Sequence, residues 1–152
     1  MRTCGSCFAC CTTLAIPAIN KPAFEKCPHA GVGGCAIYAT RPPECQAFKC
    51  GWLGDEWFLR LMHRPDRSGL LFDQSTKDDA DIYKTIPRER VVIAYELWDG
   101  VARDAEAQKL LHRIAKQMVV FVVGGKAETR RVMAPSDLMP KVKSFLKRQQ
   151  GG

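Results

Sequence analysis

Apolar residues are spaced periodically through most of the chain, and each change of period predicts a change of element. Trp57, Phe58, Leu61 and Met62 recur at helical spacing behind Asp55, a residue type that caps helix N-termini. That helix must end near Arg64, before Pro65. Pro65-Asp66-Arg67-Ser68-Gly69 reads as a turn, Leu70-Leu71-Phe72 as the start of a strand, and residues 74–81 as a polar loop. Residues 90–98 read as a strand, with Val91, Ile93, Tyr95 and Leu97 alternating on one face and Asp99-Gly100 turning the chain. A helix follows over about 105–117, with Asp104 at its start and Ala107, Leu110, Leu111, Ile114 and Ala115 as its apolar stripe. Residues 118–123 are wholly apolar and rich in β-branched side chains, as in a buried strand. Gly124-Gly125 turns the chain, and residues 128–133 return as a hairpin partner. A last helix, about 140–149, carries Val142, Phe145 and Leu146 on one side and Lys141, Lys143, Lys147 and Arg148 elsewhere.

No such period organises the first 50 residues. Pro17, Pro22, Pro28, Gly31, Gly33 and Gly34 punctuate them, and a segment built this way buries little apolar surface on its own. All eight cysteines fall here, at Cys4, Cys7, Cys10, Cys11, Cys27, Cys35, Cys45 and Cys50. The expected fold is therefore α+β. An irregular cysteine-rich metal-binding region, residues 1–51, packs on a small mixed α/β unit, residues 52–150, with three to four strands and three helices, the two forming one compact unit. The length of 152 residues allows one core with a small satellite.

Composition narrows the setting. The chain is 46% apolar and 26% charged, ordinary for a globular protein, and no run approaches the roughly 18 apolar residues of a membrane helix. Its opening does not read as a secretory signal, so a cytoplasmic, reducing compartment is expected, with no membrane partner. There, dense cysteines favour metal over a disulfide framework, with free reactive thiols as a third option. Metal binding also changes the charge. Eight thiolates and two divalent ions add a net −4, bringing +7 to about +3, so the basic balance is weak evidence for nucleic acid.

The spacing is Cys4-x2-Cys7-x2-Cys10-Cys11, then Cys27-Pro28-His29, then Cys35, Cys45 and Cys50. A C-x2-C turn brings two sulfurs within reach of one ion. The adjacent pair differs, because neighbouring side chains diverge. Cys10 and Cys11 then serve two centres, one each, or one of them bridges two metals. Eight thiolates divide into two four-cysteine zinc sites. The C-x2-C-x2-C run, completed by Cys27 before Pro28, equally fits iron–sulfur ligation, including a 4Fe-4S cluster, and soft thiolates suit both metals. His29 is a candidate further ligand. Tyr38 and Arg41 are candidates for the layer around the ligands: Tyr38 to cover the centre, Arg41 to offset thiolate charge. Pro42 and Pro43 start a short helix carrying Cys45.

These eight cysteines, with Gly33-Gly34-Cys35-Ala36-Ile37-Tyr38 and Arg41-Pro42-Pro43-Glu44-Cys45 between them, resemble the YkgJ-type cysteine-cluster family. The resemblance covers residues 4–50 and implies a zinc- or iron-chelating site, without a reaction or substrate. Larger flagellin lysine methyltransferases with a related motif are thought to carry an iron–sulfur cluster. This chain has no convincing methyl-donor site, so that activity is not carried over.

The cysteine-free remainder has no G-x-S-x-G, no H-E-x-x-H and no phosphate-cradling loop, Gly124-Gly125-Lys126 being too short. His63 and His112 fall on predicted helices as surface or interface residues. Asp78, Asp79 and Asp81 lack calcium-loop spacing, and Trp52, Trp57 and Trp98 are expected in core or cluster contacts. The leading expectation is a metal-binding protein holding zinc or iron. One alternative is an iron–sulfur redox carrier or enzyme. Another is a metal-stabilised adaptor that binds protein or RNA through the basic last helix.

Overall fold

Short elements follow one another through the first fifty residues, and long ones take over after Leu70. The structure is a computed structural model and describes residues 2–54, 63–74, 81–125 and 128–151. The front lobe holds α1 (Ala9–Thr13), a two-strand hairpin of β1 (Ala30–Gly31) and β2 (Gly34–Cys35), and α2 (Pro43–Ala47). There follow α3 (Pro65–Ser68), β3 (Leu70–Asp73), β4 (Val91–Glu96), α4 (Ala105–Ala115), β5 (Val119–Gly124), β6 (Glu128–Met133) and α5 (Met139–Gln150).

The last four strands form one sheet in the order β3-β4-β5-β6. β3 and β4 are antiparallel, β4 and β5 parallel, and β5 and β6 an antiparallel hairpin. Parallel neighbours need a crossover, and α4 supplies it. Its apolar stripe dictates where it lies. Ala107, Leu111 and Ile114 pack on Leu70, Phe72, Val92, Ala94, Val120 and Val122, the main core. On the opposite face Val91 and Val119 meet Ile82, Ile86, Leu138 and Val142, the last from α5. Farther along that face Leu71, Tyr95 and Leu97 meet the cysteine lobe, and the Phe24 ring stands edge-on to Tyr95 at 6.2 Å.

The four sheet strands and α4 and α5 lie where the periodicity places them. The face that alternation picks out in β4 is the less covered one: Val92, Ala94 and Glu96 on the other side are buried, while Ile93 and Tyr95 are half-buried. A sheet covered on both sides keeps apolar residues on both, so alternation does not name the deeper face. Among the described residues of 52–150 there are four strands and three α-helical segments, though the third helix is the short α3 in place of the helix expected over 55–64, and two further short helices, α1 and α2, form in the first fifty residues. The expected turn at 65–69 is α3, closed by Gly69 at φ 75, where a Cβ would strike Val101 and Trp98. The helix expected over 55–64 lies, with Trp57, almost wholly outside the described residues, as do Asp78, Asp79 and Lys126. His63 is exposed and in no helix, and Arg64 is held extended at ψ 142 before Pro65. Asp81 opens a single 3-10 turn, Asp81–Lys84, instead of ending a loop. Trp98 is half-exposed against Gly69, outside both the core and the cysteine lobe. No described helix is long and apolar enough to cross a membrane.

Two polar devices fix the sheet ends. Arg90 donates to the carbonyl of Gln117 just past α4, from Nε at 3.0 Å and Nη2 at 2.9 Å, and pairs with Asp137. The nearly buried Glu96 accepts the Ala102 N–H at 2.9 Å and faces Arg130 at 3.5 Å. Leu111 is fully buried between α4 and the sheet. Leu111→Ala should cost about 2–5 kcal/mol, measured by equilibrium denaturation.

Candidate functional site

The sulfurs are positioned by backbone turns more than by long elements. Gly5, at φ 52, lets the chain close so that the Cys7 N–H donates to the Cys4 carbonyl at 2.9 Å. Cys10 and Cys11 ride on α1. The Cys27 N–H donates to the Cys11 carbonyl at 3.0 Å, tying the middle loop to that helix. Cys35 sits on β2 opposite Ala30, Cys45 on α2, and Cys50 in the turn that leads into Trp52 and Leu53.

All eight cysteines, none of them disulfide-bonded, line a single cavity of about 120 Å³, together with His29, Tyr38 and Arg41. The six chain stretches that carry the sulfurs therefore converge. As they stand, no group of three or more His, Cys, Asp or Glu side chains among the described residues is arranged to hold a metal ion.

Within the cavity, packing sorts six of the cysteines into two threes. Cys7, Cys10 and Cys50 pack with Ala9 and Leu71, whereas Cys11, Cys27 and Cys45 pack with Ile16 and Ala30. Electrostatic neighbourhood follows this only in part, since Cys4 feels Cys11 across the division. Cys50 feels Cys4 and Cys7, Cys10 feels Cys4 and Cys50, and Cys45 feels Cys11, Cys27 and Cys35. The doublet is the seam. A hydrogen bond between the two thiols, more than burial, pushes Cys10 up, and the same bond lowers Cys11 to about 7, aided by the Lys21 charge. The spacing argument paired Cys27 with Cys4, Cys7 and Cys10. Packing instead puts Cys50 with Cys7 and Cys10, and Cys27 with Cys11, to whose carbonyl the Cys27 N–H donates.

Burial raises the thiols of Cys4, Cys7, Cys45 and Cys50. Backbone amides oppose it: those of Ala9 and Asp66 at Cys7, and those of Leu53 and Trp52 at Cys50. Amide donors aimed at sulfur favour the thiolate, as does nearby positive charge. Arg41 supplies such charge to Cys4. Its guanidinium also donates to the carbonyls of Tyr38, at 2.6 Å, and Cys45, at 3.4 Å, and lies 3.9 Å over the Tyr38 ring. Arg41 therefore lines the cavity beside Cys4. Tyr38 lines the cavity but is half-exposed, and His29 is half-buried at the wall.

Three supporting residues carry no motif. Lys21 is 5% exposed and points inward, its ammonium donating to the carbonyls of Thr12, at 3.0 Å, and Leu14, at 2.5 Å. Burial lowers its pKa, and the neighbouring Cys27 and Cys11 thiolates oppose that. Arg64 and Asp66 form a two-bond ion pair, both contacts at 2.7 Å, which holds the Asp66 carboxyl below its usual range. Arg64 then reaches the Cys4 carbonyl at 3.4 Å and Ser6 Oγ at 3.2 Å, and so clamps the first turn from about sixty residues away. The only signal for Arg64 in the sequence is its place before a proline. Trp52 contributes as expected, its indole donating to the Thr3 carbonyl at 3.3 Å beneath Arg2.

Comparison with protein-family models, curated proteins and solved structures finds no match to this chain.

The cavity depends on a close backbone approach. Gly34 has φ 105, and a Cβ there would lie 2.9 Å from the Gly5 carbonyl oxygen. Gly34→Ala should destabilise the lobe by more than about 1 kcal/mol, read as a lower denaturation midpoint and faster thiol labelling. Gly33→Ala is the control, since nothing lies within 4 Å of its added methyl, and it should leave both readouts near wild type.

Proposed function

We propose that the chain is a metal-binding protein whose eight cysteines hold zinc or iron in two adjacent centres. The observation that carries this reading is the convergence of all eight unbridged thiols on one cavity, six of them packed as two threes. The donor set fits the metal in kind: soft sulfurs, eight in number, enough for the two sets of four that tetrahedral zinc or cubane clusters require. Cys4, Cys7, Cys10 and Cys50 would form one ligand set and Cys11, Cys27, Cys35 and Cys45 the other. His29 at the wall stands as a spare donor. Arg41 and Lys21 would offset the negative charge of a thiolate-rich site. The resemblance to the YkgJ-type cluster proteins points the same way.

A bound ion would supply folding free energy to a lobe with little apolar interior, on the order of 10 kcal/mol per structural zinc in small zinc peptides. An iron–sulfur centre would supply one-electron chemistry in addition, which is the alternative reading as a redox carrier or enzyme. Thiolate ligation on this scale needs a reducing compartment, so a cytoplasmic location goes with it.

The test is metal quantification and a visible spectrum on protein purified anaerobically from iron-replete cells. Two equivalents of zinc in colourless protein support the zinc form, and a brown chromophore with iron and sulfide supports the cluster form. Less than half an equivalent of any transition metal overturns the reading. Cys7→Ser with Cys50→Ser should remove one centre, and Cys27→Ser with Cys35→Ser the other. Should either pair strip both centres without unfolding the sheet, the division into fours is wrong.

A further inference from the structure

The last helix, α5, has two unlike sides. On the inner side Val142, Phe145 and Leu146 pack with Leu138, Ile82 and Ile86. Phe145 stands edge-on to Phe121, with ring centroids 6.3 Å apart, and both rings line a second cavity, a groove of about 640 Å³ against the sheet. That groove shares a wall with the cysteine cavity, since Leu14, Ala15, Glu44 and Phe48 line both. The outer side of α5 carries Lys141, Lys143, Lys147 and Arg148, all exposed, and the helix contains no acidic residue.

Part of that charge works against the helix that bears it. Lys147 and Arg148 lie in the last turn, where the helix dipole favours cations, so the fold alone accounts for them. Lys141 lies in the first turn, where the dipole favours acids. Lys143 stands four residues before Lys147, so two like charges share one flank. The acid at the helix entrance, Asp137, is taken by Arg90 at 2.9 Å. Among the described residues no acidic group pairs with any of the four cations. The imbalance extends to the whole last third of the chain. From residue 105 onward ten lysines and arginines stand against three acidic residues, an excess equal to the +7 of the entire chain. Metal ligation would lower the charge of the cysteine lobe and leave this third untouched. A local rule broken without an internal gain points to a surface kept for a partner.

We propose that the outer face of α5 binds the phosphodiester backbone of a nucleic acid, without regard to base sequence. Helical geometry sets Lys143 and Lys147 in one row and Lys141 and Arg148 in another, with the exposed Ser144 between them. The rows cover about 10 Å of helix, so one run of phosphates meets both. Phosphate contacts need cations and hydrogen-bond donors. The exposed residues of 141–150 are lysine, serine, arginine and glutamine, which supply both and nothing else. A protein partner would need an aromatic or apolar anchor on this face, and a membrane would need an apolar side to insert. The apolar residues of α5 are taken up by the core instead. No aromatic ring stands on the outer face to stack a base, hence the indifference to sequence. The face lies outside both cavities, and the proposal is independent of the metal reading.

The test titrates the full chain, with whatever metal it carries, into a labelled oligouridine and a labelled DNA duplex, read by fluorescence anisotropy. Affinity for the oligouridine should fall roughly 50-fold between about 50 and 200 mM salt, as four phosphate contacts to a single strand require. Lys143→Gln with Lys147→Gln should weaken binding at least about fivefold and roughly halve the salt slope. Lys109→Gln with Arg113→Gln removes the same charge from α4, across the sheet, and should change affinity less than about twofold. The denaturation midpoint of the α5 variant should hold or rise, because a like-charge pair is gone. Equal weakening by both pairs of substitutions, or an affinity indifferent to salt, overturns the proposal. So does polyglutamate that competes as well as unlabelled oligouridine, or no binding of either nucleic acid at about 50 µM protein in low salt. A lowered midpoint in the α5 variant assigns these lysines to the fold and overturns it as well. Metal content is measured on the same samples. Nucleic-acid binding by metal-poor protein sinks only the metal reading, and metal-loaded protein without it sinks only this one.

Discussion

Everything in the front lobe depends on sulfur standing in for hydrocarbon. The lobe's two small clusters each centre on cysteines, one on Cys50 with Cys7 and Cys10, the other on Cys27 with Cys11 and Cys45. Ordinary cores use leucine and valine, which need no partner. A buried thiol is a small hydrophobe as long as it stays protonated, and a strong ligand once it does not. The lobe is therefore built from groups whose contribution to packing and whose chemistry pull in opposite directions. A cation bound by several of them would make both compatible, because ligation neutralises the thiolates and joins the strands of chain that carry them.

The rest of the fold supplies what this lobe lacks. The sheet with α4 forms a conventional apolar core, with Leu70, Phe72, Val92, Val120, Leu111 and Ile114 almost wholly buried. Leu71, on the other face of β3, reaches out of that core into the Cys7–Cys10–Cys50 cluster. One strand is thereby shared: Phe72 faces the hydrocarbon interior and Leu71 the sulfur interior, and the Gly51 N–H donates to the Phe72 carbonyl at 2.7 Å. Ordering of the sheet gives the last cysteine, Cys50, a fixed neighbour before any ion is considered.

How much of this was legible follows from range. The sheet strands and the two long helices were readable because each is set by periodicity within a dozen residues. The cysteines were readable as one group because thiols crowd into one stretch, but the contact between the Cys10 and Cys11 thiols was not, since adjacent side chains were expected to diverge. Which cysteines pack together was not readable: grouping Cys27 with the C-x2-C-x2-C run used sequence order, whereas Cys27 packs with Cys11 and Cys45. Arg64 and Lys21 escaped because their partners include backbone carbonyls, which leave no pattern in sequence, and Asp66 because it acts by pairing with Arg64. The second groove escaped for a related reason. Ile93, Tyr95 and Phe121 read as core, and only the three-dimensional arrangement leaves them facing open space.

The two cavities are tied through α2. Glu44 and Cys45 are successive residues of that single helical turn, whose N-terminus is stiffened by Pro43. The Cys45 carbonyl is held by Arg41, and the Arg41 carbonyl in turn accepts from the Gln46 side chain at 2.7 Å. That turn, five residues long and held by these bonds, forms part of the wall that the two cavities share, with Glu44 lining both.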